Sequence, residues 1–458
     1  MTNTITIYPK AITKLTTPQI LKVGLYLTWG ASLLILIATI SGVQGHRNAF
    51  KTIGKDSAPS ILNAQRLKDA LAGMDANAVN ELLVKPGQNP KAIDDYEERR
   101  KAFAERIVLA AKNITYGDAE EIPIRKMQLV LGDYIAQIQR AKLFNEQGNV
   151  AGILDTYRQA AEIMDKTLLP EADALDEANW KELEKTYISE QSIATRSLFF
   201  VVVTSLLLIG GLVTIQLFIY YRMRRILNPM LLGATAIAIL SLGLTTKAFI
   251  SASYNLKVAT KDAFASLHAL RQARSFAYGA NADESRYLLD KAFATKHEAA
   301  FFEKTTKIVK IPDGQTFKTV STALQQNQKV EGFTGYLADE LNNITFTGEK
   351  EAALKTLSTF GIYFNIDKQI RRLEESGKHA EAIALCTGYN QGQSNWAFDE
   401  FKKAQTNTID INQKAFDDAI AAGFQEVAGF EITTSVATAA ISLLVLFGLM
   451  PRIKEYSI

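Results

Sequence analysis

Four histidines and one cysteine are the natural candidates for metal ligands and nucleophiles, and their spacing assembles neither kind of centre. His46, His268, His297 and His379 are scattered along the chain. None falls in a His-Glu-x-x-His pattern, which would set two imidazoles on one helix face. Cys386 closes the apolar run 382–386, where a thiol packs as a small hydrophobe. A single cysteine also excludes an intrachain disulfide. Asp94, Asp95, Glu97 and Glu98 precede Arg99, Arg100 and Lys101, an order that suits the helix dipole and pairing along a solvated face. Asp118, Glu120 and Glu121 fall in a predicted turn and are placed to cap the helix that follows. Neither a P-loop, a Gly-x-Ser-x-Gly elbow nor a dinucleotide fingerprint occurs. The expectation is a protein that is not an enzyme, with no catalytic residue, no cofactor and no metal site. Trp180 and Trp396 are the aromatic features that could meet a ligand, and both are equally suited to packing, so the ligand-binding residues stay unassigned.

The elements that carry these residues are of two kinds. A helix needs about 20 apolar residues to cross the hydrocarbon core, and four stretches meet that demand: 23–43, 197–221, 230–250 and 432–450. In lipid the backbone must satisfy its own hydrogen bonds, so each is expected to be helical. Three lysines (Lys10, Lys14, Lys22) precede the first stretch, whose uncharged run and lack of a small-x-small cleavage site favour an anchor over a cleaved signal. The segment 1–22, the connector 222–229 with Arg222, Arg224 and Arg225, and the tail 451–458 are the short basic pieces. The positive-inside rule places all three in the cytoplasm. The regions 44–196 and 251–431 are then extracytoplasmic, and the lipid bilayer is the first partner.

Both long regions read as helical, rich in residues that lose little entropy in a helix. Ile61, Ala64, Leu67, Ala70 and Leu71 trace one apolar stripe. In the first region turns are predicted at Pro86–Pro90, Gly117–Pro123 and 147–149, leaving helices that bury their stripes as a four-helix bundle. The second region echoes the first. Residues 55–83 align without gaps on 261–289, with seven identities in 29 positions, including Lys55/Lys261, Ser60/Ser266, Gly73/Gly279 and Leu82/Leu288. Gly148-Asn149 is matched by Gly377-Lys378, and Asn179-Trp180 by Asn395-Trp396. The expected fold is therefore all-α: four transmembrane helices with two tandem extracytoplasmic helical bundles related by internal duplication. Turn-rich stretches at 311–314 and 342–348 predict a hairpin or extra loop in the second copy.

This order of span, four-helix region and span resembles the sensor domains of bacterial chemoreceptors and histidine kinases. The segment Arg222-Met223-Arg224-Arg225-Ile226-Leu227-Asn228-Pro229 is similar to the opening of the HAMP linker that follows the second span there. The chain departs from that pattern by re-entering the apolar phase at once, with no kinase, cyclase or methyl-accepting segment. The resemblance implies a bacterial inner-membrane protein whose exported domains sense and whose output belongs to a separate membrane or cytoplasmic signalling protein. A homo-oligomer is compatible with small-residue pairs such as Ala38/Gly42, Ala234/Ala238 and Ser435/Ala439. Transport is disfavoured, because the spans hold no central charge and no proline. The near-neutral net charge of +3 gives no reason to expect nucleic acid. The alternative reading is a structural or assembly subunit of an envelope complex.

Overall fold

The computed structural model describes residues 16–223 and 227–455. Lys10, Lys14, Arg224 and Arg225, which carry much of the orientation argument, lie outside the described residues, as do residues 456–458 of the expected tail. The first run of helices is α1 (Thr17–Lys51), α2 (Ala58–Leu82), α3 (Pro90–Lys112), α4 (Asp118–Glu146), α5 (Val150–Ile163) and α6 (Leu169–Met223). The second run opens with α7 (Pro229–Lys257), α8 (Ala265–Leu289), α9 (Ala294–Ile308), α10 (Phe317–Gln325) and α11 (Tyr336–Asn342). It closes with α12 (Glu349–Glu375), α13 (His379–Thr387), α14 (Ser394–Glu426) and α15 (Phe430–Lys454). Among the described residues the only extended pairing is an isolated antiparallel bridge between Lys310 and Thr334.

Four helices are long and apolar enough to cross a membrane. They form one unit from residues 1–51, 186–256 and 420–458. Leu25, Leu212, Leu231, Ala234, Val445 and Leu449 share its core. Large apolar side chains such as Leu27, Leu207, Leu240 and Phe447 face outward, the arrangement that a lipid surround stabilises and water does not. Ala234 and Ala238 are core positions, whereas Ser435 and Ala439 lie on the outer surface. Glu431 accepts hydrogen bonds from both ends of the Arg47 guanidinium and from Gln44, tying α15 to α1.

Residues 52–185 and 257–419 form the second unit. The sequence led us to expect two tandem bundles, and here both long regions contribute to one compact body. The reason lies in α2 and α8. Nearly every residue of these two 25-residue helices is buried, so neither has the single apolar stripe of a peripheral helix. Each needs cover on all sides, and each receives part of it from the other half, α2 packing along α8.

The two halves repeat local structure in detail. A π-helical segment, Thr52–Ser57, leads into α2, and another, Val258–Phe264, leads into α8. Asn113 donates to the Ser60 hydroxyl (2.6 Å), and Asn343 donates to the Ser266 hydroxyl (3.0 Å). The backbone N–H groups of Thr115 and Tyr116 reach Glu120 Oε2 at 2.6 and 2.7 Å. Those of Thr345 and Phe346 reach Glu349 Oε2 at 2.6 and 2.8 Å. Equivalent residues are 206 apart at Ser60/Ser266 and 230 apart at Asn113/Asn343. The difference is an insertion after α9 that carries the bridge and α10. It splits the counterpart of α3 into α9 and α11, which meet at Gly335. There φ is +101° and a Cβ would sit 2.9 Å from the Ile308 carbonyl oxygen, so only glycine fits. The turn-rich stretch at 311–314 thus opens an inserted segment, and 342–348 is the repeat of the first half's Asn-Ile-Thr turn.

Candidate functional site

Most of the polar groups singled out in the sequence have structural partners. His268 Nε2 lies 3.2 Å from Asp176, under the indole of Trp180 at a centroid distance of 4.1 Å. His379 Nδ1 lies 2.6 Å from Glu374. His297 approaches Asp290 (3.9 Å), and His46 packs edge-on against Phe249. Cys386 is fully buried beside Ser285 and Glu284, and burial raises its thiol well above the ordinary range. Asp95 and Glu97 pair locally with Lys91 and Arg100 on the α3 surface. Glu120 does not cap α4, whose N-terminus has no side-chain cap; it accepts instead from the backbone N–H groups of Thr115 and Tyr116 in the turn before that helix. Trp180 and Trp396 are not counterparts. Asn395 joins a buried amide chain through Asn281 to Asn80, while the partner of Asn179 in the second half is Asn412. Both Asn179 and Asn412 donate to the carbonyl four residues earlier, at 2.8 and 3.2 Å.

The middle of the unit is held by buried charge. Arg286 donates to Asp75 (2.6 Å), Asp165 (2.9 Å), Asp283 (3.0 Å) and the Tyr157 hydroxyl (3.0 Å). Lys304 also binds Asp283. Burial pushes Asp75 up to about 6, against the pull of Arg286. A second pair, Arg371 and Asp367, is bidentate at 2.9 Å, with the guanidinium over the Tyr287 and Phe301 rings. Such paired groups specify packing; Arg371 Nη1 alone lacks a hydrogen bond, approaching Glu298 at 3.7 Å.

A different situation holds where α2, α3 and α8 meet. Arg66, Arg106 and Arg271 make no side-chain hydrogen bond or ion pair within 4 Å among the described residues. Arg271 is only 6% exposed, and its Nε has no partner. Burial brings its guanidinium down to about 10; Asp69 opposes this, and Arg66, Arg274 and Arg106 reinforce it. Burial and Arg66 likewise lower Arg106. Buried Asp69 faces this group, and burial raises its pKa against the pull of four basic neighbours; Glu120 and Asp417 line the cleft with Arg66 and Arg106. Buried charge without a partner is costly; of the three this bears on Arg271, since Arg66 is exposed and Arg106 half-buried, and together they offer positive charge to an anion.

Arg66 and Arg106 line a cleft of about 560 Å³, within the range of small-molecule sites. Ser60, Asn63, Glu120 and Asn179 add to its polar side, Ala110 contributes only a methyl group, and Leu62, Leu109 and Phe416 give it an apolar wall.

The counterpart of this cleft in the second half is filled by the chain itself. Glu340 stands at the position of Ala110 and is 1% exposed. Its carboxyl bonds to Ser266 and Asn412, the counterparts of Ser60 and Asn179, and meets Glu349, the counterpart of Glu120. Trp180 stands at the position of Gln413, Phe264 at that of Ala58, and His268 at that of Leu62. The Trp180 ring stacks against both Phe264 (6.1 Å) and His268 (4.1 Å). Lys261 approaches Glu184 at 3.8 Å, the counterpart of Asp417 in the cleft. Larger side chains at three equivalent positions (Glu340, Trp180 and Phe264) close one site, and smaller ones open the other.

Sequence reasoning missed this cleft because its arginines come from different helices. The Asn-Ile-Thr repeat at 113–115 and 343–345 was the available signal: aligning it brings Ala110 against Glu340. Residues 49–188, which include Ser60, Arg66, Arg106, Ala110, Glu120 and Asn179, match the family model described as the actinobacterial sensor domain. No curated protein and no solved structure matches the chain.

Proposed function

We propose that the chain is a non-enzymatic membrane sensor or signalling accessory that binds a small molecule in the Arg66/Arg106 cleft and reports to a separate signalling protein. The observation that carries the reading is the cleft itself. It combines unpaired guanidinium groups, an apolar wall and a small-molecule volume in the segment that resembles a sensor domain. Both repeats descend, in this reading, from one duplicated span–bundle–span unit, of which one copy kept an open site and the other closed it with its own side chains. In this reading the short basic segments favour both termini on the cytoplasmic side of a bacterial inner membrane and the unit of residues 52–185 and 257–419 outside it. Helix α6 offers a route for the report, because it contains Asn179 and runs unbroken to Met223. A helix that shifts by a fraction of a turn needs no further device to signal.

Thermal unfolding of the full chain in detergent, screened against small metabolites, tests this reading. A ligand at about 100 times its Kd adds roughly 2.7 kcal/mol, a clear rise in Tm, and the Arg66→Gln, Arg106→Gln double variant is expected to lose that rise. If no metabolite stabilises the chain and a stoichiometric envelope partner co-purifies instead, the assembly-subunit reading replaces it.

A further inference from the structure

We infer that the cleft takes a small carboxylic acid with an apolar body, seated so that its carboxyl lies where Glu340 lies in the second half. This deepens the sensing reading and rests on it. The warrant is the chain's own occupant of the equivalent site. Around Glu340 stand Ser266, Asn412 and Glu349. Around the Cβ of Ala110 stand their counterparts Ser60, Asn179 and Glu120, all on the cleft wall. The residue types that hold a carboxyl in one half are therefore present in the other, and alanine leaves room for a carboxyl supplied from outside. The Ser60 hydroxyl donates to the Asp56 carbonyl (2.8 Å) and turns to a ligand by rotation. Asn179 Nδ2 donates one hydrogen to the Leu175 carbonyl and has a second to offer a carboxyl, as Asn412 Nδ2 serves both Thr408 and Glu340.

Charge points the same way. Glu120 is held by the N–H groups of Thr115 and Tyr116, and a second carboxylate beside it needs compensation. Arg66 and Arg106 supply it from the cleft wall, with buried Arg271 behind them. In the second half the position of Arg66 is Gln272, which donates to Asp176 (2.5 Å), and that of Arg106 is Tyr336. The guanidinium pair is thus specific to the open site, where the acid is a ligand and arrives charged. The apolar body is argued from the other wall. The volume that Trp180, Phe264 and His268 occupy in the second half is bordered in the first by Leu62, Leu109 and Phe416. Burial of an aliphatic or aryl group there contributes in proportion to the apolar area removed from water.

The test is calorimetric titration of the full chain in detergent with a panel of alkanoates and arylalkanoates, each paired with its primary amide. Carboxylates are expected to bind with one site per chain, roughly tenfold or more tighter than their amides, since charge-assisted pairs to arginine are the strong class. Ala110→Glu brings the missing carboxyl in covalently, as Glu340 does, and is expected to abolish binding. Arg66→Gln with Arg106→Gln is the companion variant, because Arg66 is exposed and neither side chain is hydrogen-bonded to a described residue; it should weaken carboxylates and leave amides unchanged. Amides binding as well as acids, with Ala110→Glu still blocking, would overturn the ligand class and leave the sensing site standing. Carboxylates binding undiminished to Ala110→Glu would overturn the placement. No binding by any carboxylate overturns the inference, and a neutral metabolite that still stabilises the chain would show that the sensing reading survives it.

Discussion

Arg286→Met is expected to destabilise the unit of residues 52–185 and 257–419 by about 3–5 kcal/mol, the cost of breaking a buried ion pair from one side. Methionine fills much of the volume and removes the charge. Asp75 then keeps only long hydroxyl contacts from Tyr134 and Tyr157, at 3.4 Å each. Asp283 retains Lys304, so the loss falls mainly on Asp75. Folded Asp75 already titrates near 6 because burial disfavours its charge, and without Arg286 it takes a proton more readily. The deficit of Arg286→Met should therefore shrink as the pH falls toward about 6 and level off below it, where both proteins hold the Asp75 proton. Adding Asp75→Asn should recover part of the loss at neutral pH, because two paired charges are then removed together. Denaturant titration of the single and double variants reads both effects. An Arg286→Met protein as stable as wild type at all pH values would contradict the assignment of this cluster to the core.

Glu340→Gln is expected to act in the opposite direction. Burial, together with the neighbouring Glu349, raises Glu340 from 4.5 to about 7. Glu340 Oε2 and Glu349 Oε1 are both buried without a donor when both groups are ionised, and one shared proton satisfies both. The folded state therefore holds a proton between pH 4.5 and about 7 that the unfolded chain has released. Stability from this group is fully present below 4.5 and is lost as the pH rises through 7. Glutamine keeps a donor for Glu349 and never ionises. The variant should gain up to about 3 kcal/mol over wild type above pH 7, at about 1.4 kcal/mol per pK unit, and converge with it near pH 4.5. Asp75 and Asp367, both raised to about 6, tilt the two proteins alike, so the difference between them isolates Glu340. Parallel stability–pH curves would sink the account of the closed site.

The reach of the sequence differs sharply between these features. Span positions are legible from uncharged runs alone, because lipid leaves the backbone no alternative to the helix. The turns at Pro86–Pro90, Gly117 and 147–149 are legible from their breakers, and residues 113–117 and 147–149 do separate helices. The repeat is visible over 55–83 and 261–289, where it runs without a gap. Beyond that the insertion before Gly335 shifts the register, and a chance Asn-Trp at 395–396 offers a false match for 179–180. Asp75, Asp283, Glu284 and Arg286, none of them singled out in the sequence, are buried on α2 and α8. Their partners lie on other helices, up to 211 residues away, and no local pattern announces them. Arg66 and Arg106 are hidden for the same reason. A cleft formed by what is missing, alanine where the repeat has glutamate, becomes readable only when the two copies are compared.

The central claim is that occupancy of the cleft changes the membrane helices, and spin-label distances within the membrane unit test it most directly. Tyr221→Cys on α6 and Met450→Cys on α15 are both exposed sites, and native Cys386, being fully buried, is shielded from the label. With calorimetry showing the cleft loaded by a carboxylate, the account predicts that the distance distribution shifts by about 1–2 Å, the scale of signalling helix displacements. Ala110→Glu should hold one distribution whether or not the acid is added. A loaded wild-type cleft with an unchanged distribution would contradict sensing by this route.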